Sequence, residues 1–187
     1  MQDYNRAISL NPKIEKAYLG RGLLRSAANS LAAALKDFTQ AIQCNPSFIE
    51  AYVNRGEIRR RLGEYGEAVL DFGRAIHINP QFPAAYYARA NTWRELKEFD
   101  QAIADYNQVL ALDPNRADAH NNRGNAYVAK GEWEAAQSDY SRAIAINPAY
   151  ALAYLNRGSV LLLRGNMEDC QRDLEQAVKL NPELESR

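Results

Sequence analysis

The chain has 187 residues, 47% of them hydrophobic, and carries 23 Lys plus Arg against 23 Asp plus Glu. That apolar content excludes disorder as the default, and the balanced charge gives no field for a polyanion, so nucleic acid is not an expected partner. No apolar stretch reaches the roughly 18 to 20 residues of a membrane span, and the start Met1-Gln2-Asp3-Tyr4 lacks the basic and apolar regions of a signal peptide; the expectation is a soluble cytoplasmic protein with no membrane partner.

In chain order, residues 1–14 read as the second helix of a truncated repeat, with Tyr4, Ala7 and Ile8 on its packing face. Pro12 then opens a series with Pro46, Pro80, Pro114, Pro148 and Pro182, spaced 34 residues apart and each preceded by Asn or Asp. This spacing predicts repeats over 15–48, 49–82, 83–116, 117–150 and 151–184, with 185–187 as a tail. Repeats of this length bury their core against their neighbours and present an extended surface, not an enclosed pocket.

The second repeat serves as template. Ala51, Tyr52, Arg55 by its stem, Gly56 and Arg59 lie at the spacing of one helical face. Gly63 marks the end of that helix. A second stripe follows at Tyr65, Ala68, Val69, Phe72, Ala75, Ile76 and Ile78, and Asn79-Pro80 stops it because proline cannot donate to the helical ladder. Gly22, Gly56, Gly124 and Gly158 recur within first helices, where glycine costs about 1 kcal/mol relative to alanine. A close contact with the alanines Ala34, Ala68, Ala102 and Ala136 of the second helices is the expected reason, with Ala90 taking the glycine position in the third repeat.

These residues carry a family resemblance. Tyr52, Arg55-Gly56, Arg59, Ala68, Phe72, Ala75 and Pro80, with their counterparts in the other repeats, resemble the tetratricopeptide repeat (TPR) pattern over essentially the whole chain. The resemblance implies an all-α fold, a right-handed α-solenoid of antiparallel helix hairpins (a TPR superhelix). Departures are present. Arg21, Arg55, Arg89, Arg123 and Arg157 replace the family's leucine, Cys170 and Leu174 replace a small and an aromatic residue in the last repeat, and Asn29-Ser30 stands where the first repeat lacks the inter-helix glycine.

The five arginines have a matching column, Asp37, Asp71, Asp105, Asp139 and Asp173, each 16 residues later, with Asp3 extending the series. Each arginine is expected to pair with an aspartate of its own or the preceding repeat, partly buried at the inter-helix seam. Cys44 and Cys170 fall in columns otherwise filled by aliphatic or small residues and are expected to be buried, reduced thiols.

The family resemblance also implies that first helices line a concave peptide-binding surface. On that surface the second repeat offers Asn54, Glu57 and Arg60; the third, Tyr87, Asn91 and Arg94; the fourth, Asn121, Asn122 and Asn125; and the fifth, Leu152, Leu155 and Asn156. Asparagine amides both donate and accept, which suits an extended peptide backbone of any sequence. Tyr87 adds an aromatic anchor. The carboxylate clamp of TPR co-chaperones is not expected, since Tyr87, Leu152 and Asn156 stand where it needs lysine or arginine, although Asn91 and Asn122 match.

Catalysis is not expected either. His77 and His120 form no ligand pair, and neither a phosphate loop nor a metal-ligand spacing occurs, so the chain reads as a non-enzyme with no cofactor or metal. The expected function is a scaffold for a protein or peptide partner. Two alternatives stand beside it: a substrate-recruiting segment of a larger enzyme such as a glycosyltransferase, and a homo-oligomer formed through uncapped ends or the leucine-rich fifth repeat.

Overall fold

The computed structural model describes residues 1–186, without the side chains of Glu185 and Ser186, and every regular element among them is helical. In chain order these are α1 (Gln2–Leu10), α2 (Glu15–Ala27), α3 (Leu31–Cys44), α4 (Ile49–Arg61), α5 (Tyr65–Ile78), α6 (Pro83–Glu95), α7 (Phe99–Leu112), α8 (Ala117–Lys130), α9 (Trp133–Ile146), α10 (Ala151–Leu163) and α11 (Met167–Leu180), followed by a 3-10 turn, Pro182–Ser186.

Two kinds of helix ending alternate. After α4, Gly63 takes the left-handed conformation at φ 78°, its N–H donating to the Arg60 carbonyl while the Glu64 N–H donates to the Arg59 carbonyl. This is a Schellman closure, which satisfies carbonyls the helix itself leaves orphaned. Gly131 and Gly165 repeat it. In the first repeat Asn29 makes the same turn at φ 56°, and Lys97 also lies at positive φ, 61°, where a side chain is strained.

The other ending explains the residue before each proline. The Asn45 side chain accepts a hydrogen bond from the Ser47 N–H at 3.0 Å, reaching across Pro46, and Asn11, Asn79, Asn147 and Asn181 bridge their own prolines in the same way. Each asparagine backbone is extended, as a following proline requires. One side chain thus stops the helix and aims the next.

The chain divides into two compact segments, Met1–Leu96 and the residues from Lys97 onward. Within the first, α1 to α6 each pack on the next in sequence, and α2, α4 and α6 also touch as a row. Within the second, α7 to α11 do the same, with α8 against α10 and the 3-10 turn against α11. Short turns make sequential neighbours antiparallel.

The core is built from columns that repeat at the 34-residue interval. Ala51, Ala85, Ala119 and Ala153 of first helices are fully buried, as are Ala34, Ala68, Ala102 and Ala136 of second helices, with Phe38, Phe72, Tyr106 and Tyr140 beside them. Ile58 and Val160, outside the expected stripe, are buried too and pack against the preceding second helix in clusters with Ala34 and Phe38, and with Ala136 and Tyr140. Cys170 is buried as expected. Cys44 is only half-buried, because it lies at the last turn of α3, where its thiol faces the Pro12 carbonyl at 3.6 Å.

The reason for the helix glycines differs from the expected alanine contact. A β-carbon on Gly22 would stand 2.6 Å from the Phe38 ring, one on Gly56 2.8 Å from Phe72, and one on Gly124 2.7 Å from Tyr140. The ring 16 residues on, not the alanine, fills the space that a side chain would need. In the last repeat Leu174 replaces the ring and the distance from Gly158 relaxes to 3.3 Å.

Candidate interaction faces

A polar seam fixes the orientation of the first helices α2, α4, α8 and α10. Arg21 donates to both carboxylate oxygens of Asp37, and Arg55, Arg123 and Arg157 form the same forked pairs with Asp71, Asp139 and Asp173 at 2.6–2.9 Å. These aspartates are buried and belong to the same repeat as their arginines, as the 16-residue spacing implies. The remaining guanidinium nitrogen reaches back to the preceding helix, to Asn5, Thr39, Asn107 and Ser141 respectively. One arginine therefore ties three helices together. The aspartate is buried, the arginine is partly so, and each guanidinium nitrogen has a partner, the condition under which a buried ion pair holds a geometry.

The aspartates collect further partners. Arg25 joins Arg21 on Asp37, and Arg59 joins Arg55 on Asp71. In the fourth repeat His120 occupies the column of Tyr18, Tyr52, Tyr86 and Tyr154, and its Nδ1 is hydrogen-bonded to Asp139 at 3.0 Å. Those tyrosines stack under the arginine three residues later, whereas Arg123 stacks on Tyr127. Burial pushes the Asp139 carboxyl up, but the hydrogen bonds and charges of Arg123 and His120 outweigh it and leave the group below the usual carboxylate range.

With the seam turned inward, the expected site residues of the first segment lie on α4 and α6. Asn54 is half-buried and its amide already donates to the Glu50 carbonyl at 2.7 Å. Glu57 and Arg60 form a two-bond ion pair at 2.7 and 3.0 Å, and hydrogen bonding to Glu57 raises the Arg60 guanidinium above its ordinary range against the opposing effect of burial. Tyr87, Asn91 and Arg94 are half-buried on α6.

In the second segment α8 and α10 bring four asparagines together. Asn121 is buried, accepting from the Asn156 amide at 2.9 Å and lying 3.4 Å from the Asn122 oxygen, to which it donates. Asn125 accepts from the Tyr140 hydroxyl at 2.7 Å. Leu155 is half-buried and Leu152 exposed at the edge of this cluster. Beside it Arg116 pairs with Asp118 at 2.9 Å, and burial, then Asp118, raises the Tyr150 phenol.

Sequence reasoning missed the second partners of the aspartates and the polar column at Asn5, Thr39, Asn107 and Ser141. That column was visible, since it lies two residues after each aspartate at the same period. Among the described residues no cluster of three or more His, Cys, Asp or Glu is placed to hold a metal ion, and no helix is long and apolar enough to cross a membrane.

Family models described as TPR repeat match residues 56–96, 90–131 and 124–165, and models described as tetratricopeptide repeat match 38–69 and 151–184. The chain belongs to the tetratricopeptide repeat family. Solved TPR-like structures agree with this fold. YrrB, described as a TPR protein with an unusual peptide-binding site, is 22% identical, with 96% of this chain and 92% of that chain covered at a TM-score of 0.79. MamA from Desulfovibrio magneticus RS-1 is 18% identical, with 90% and 96% covered and a TM-score of 0.83. The thermophilic TPR protein TTC0263 of Thermus thermophilus is 20% identical, with 92% and 96% covered and a TM-score of 0.71. No curated protein matches the TPR chain in sequence.

Proposed function

We propose that this TPR chain is a protein-interaction scaffold that holds a peptide or partner segment on the concave surface lined by its first helices. The observation that carries this reading is the asparagine cluster of α8 and α10, in which Asn156 and Asn121 brace each other and Asn122 and Asn125 lie half-buried alongside. An asparagine amide carries two N–H groups and an oxygen with two lone pairs, which suits the alternating donors and acceptors of an extended backbone. The description of YrrB as a peptide-binding TPR protein supports the same class of ligand.

Side-chain selectivity would be supplied separately in each segment: in the first, Tyr87 and Asn91 on α6 offer an aromatic surface with a polar neighbour, and in the second, Leu152 and Leu155 on α10 offer an apolar one. Because Arg60 is neutralised by Glu57 and Arg116 by Asp118, no strongly acidic ligand is required. Affinity capture with the wild-type chain and with Tyr87→Ala/Asn122→Ala tests the reading. Partners lost from the double variant support it; the same partners retained at the same yield contradict it.

A further inference from the structure

The second repeat carries a feature that its siblings lack. Leu70, on α5, is 62% exposed, and the same column holds Lys36, Ala104, Ser138 and Arg172 in the other repeats. One turn earlier, Gly66 stands where they have Ala32, Asp100, Glu134 and Glu168. A β-carbon at Gly66 would meet nothing within 4 Å, so no packing contact demands this glycine, and within a helix it costs about 1 kcal/mol. Gly66 leaves room and Leu70 adds apolar surface, and together they border an apolar hollow walled by Leu70, Val69, Tyr65 and the Trp93 ring from α6.

Its rim has one sign of charge. Glu64 and Glu67 line the hollow, both exposed, and no Lys or Arg does. Glu67 also meets Arg59 at 3.2 Å, but at 58% exposure its carboxylate still faces water. A lone exposed leucine is ordinary on a protein surface; a leucine, an indole and a phenol around a gap with carboxylates at its lip form a receptor for a side chain.

We propose that this hollow is a second docking site, separate from the first-helix faces, for a partner segment that presents one large aliphatic or aromatic side chain beside a lysine or arginine. The apolar side chain enters over Gly66 and covers Leu70, and the adjacent cation meets Glu64 or Glu67. Such a contact is individually weak and adds to a second one by raising effective concentration.

Nuclear magnetic resonance titration of the full chain with the capped peptide Gly-Ser-Lys-Leu-Lys-Ser-Gly tests this. The Gly66 amide and Trp93 indole signals are expected to shift saturably. Replacing both lysines of the peptide by glutamate, or its leucine by serine, is expected to weaken binding at least fivefold. Leu70→Lys, the residue of the first repeat at this place, should weaken it tenfold or more, and Gly66→Leu should block it by filling the hollow. Tyr87→Ala/Asn122→Ala should bind the peptide as the wild type does. Absent or unsaturable shifts, equal binding of the glutamate peptide, or full binding by both niche variants would overturn the proposal.

Discussion

A β-carbon added to Gly124 would stand 2.7 Å from Cε1 of Tyr140, so in the fourth repeat the first helix meets the second as bare backbone against an aromatic ring. Gly124→Ala is therefore expected to destabilise the chain by about 1–3 kcal/mol through overpacking, and Gly56→Ala against Phe72 likewise. Gly158→Ala differs in sign. Its neighbour is a flexible leucine at 3.3 Å, and removing a helix glycine there is expected to stabilise by up to about 1 kcal/mol. Urea unfolding of the three variants decides this, and equal losses in all three would contradict it.

Asp71 accepts from Arg55 twice and from Arg59 once while almost fully buried. Asp71→Ala leaves two guanidinium groups short of their shared acceptor and is expected to cost about 3 kcal/mol. An exposed carboxylate such as Glu67→Ala is expected to change stability by less than about 0.5 kcal/mol. Parallel thermal melts check both.

Asp139 gives the stability a pH dependence. Its folded carboxyl lies below the usual range, so ionised Asp139 stabilises the fold above its unfolded value near pH ~4, and that contribution disappears as pH falls through the folded value. The wild type is expected to lose stability steeply below about pH 4, and Asp139→Asn to be weaker at neutral pH with a shallower acid slope. Denaturant midpoints between neutral and acidic pH would show it, and identical slopes would remove Asp139 from the cause.

Gly73 occupies the column where Asn5, Thr39, Asn107 and Ser141 accept from a neighbouring arginine. A β-carbon there would lie 3.7 Å from Nη1 of Arg89, in ordinary contact. Gly73→Ser is expected to stabilise by about 0.5–1 kcal/mol, through helix propensity and a new acceptor. A fall in urea midpoint would contradict this.

The repeat period, the helix stops at Gly63 and Pro80, and the arginine–aspartate pairing were legible because each recurs in register and each has a local physical cause. The glycine contacts were misassigned since sequence spacing gives the level at which two helices meet but not the direction a ring takes across the gap. Ile58 escaped notice for a related reason: it packs on the preceding repeat, not on its own second helix. For the site, spacing placed Asn54 and Asn156 at equivalent positions of α4 and α10 but could not reveal that their amides already donate, one to a carbonyl of its own helix and the other to Asn121.

Hydrogen exchange of the chain with and without a captured partner measures the binding face most directly. Added protection is expected on α6, α8 and α10 around Tyr87, Asn122, Asn125 and Asn156, with α3, α7 and α9 unchanged. Protection confined to second helices, or its persistence in Tyr87→Ala/Asn122→Ala, would contradict binding along the first helices.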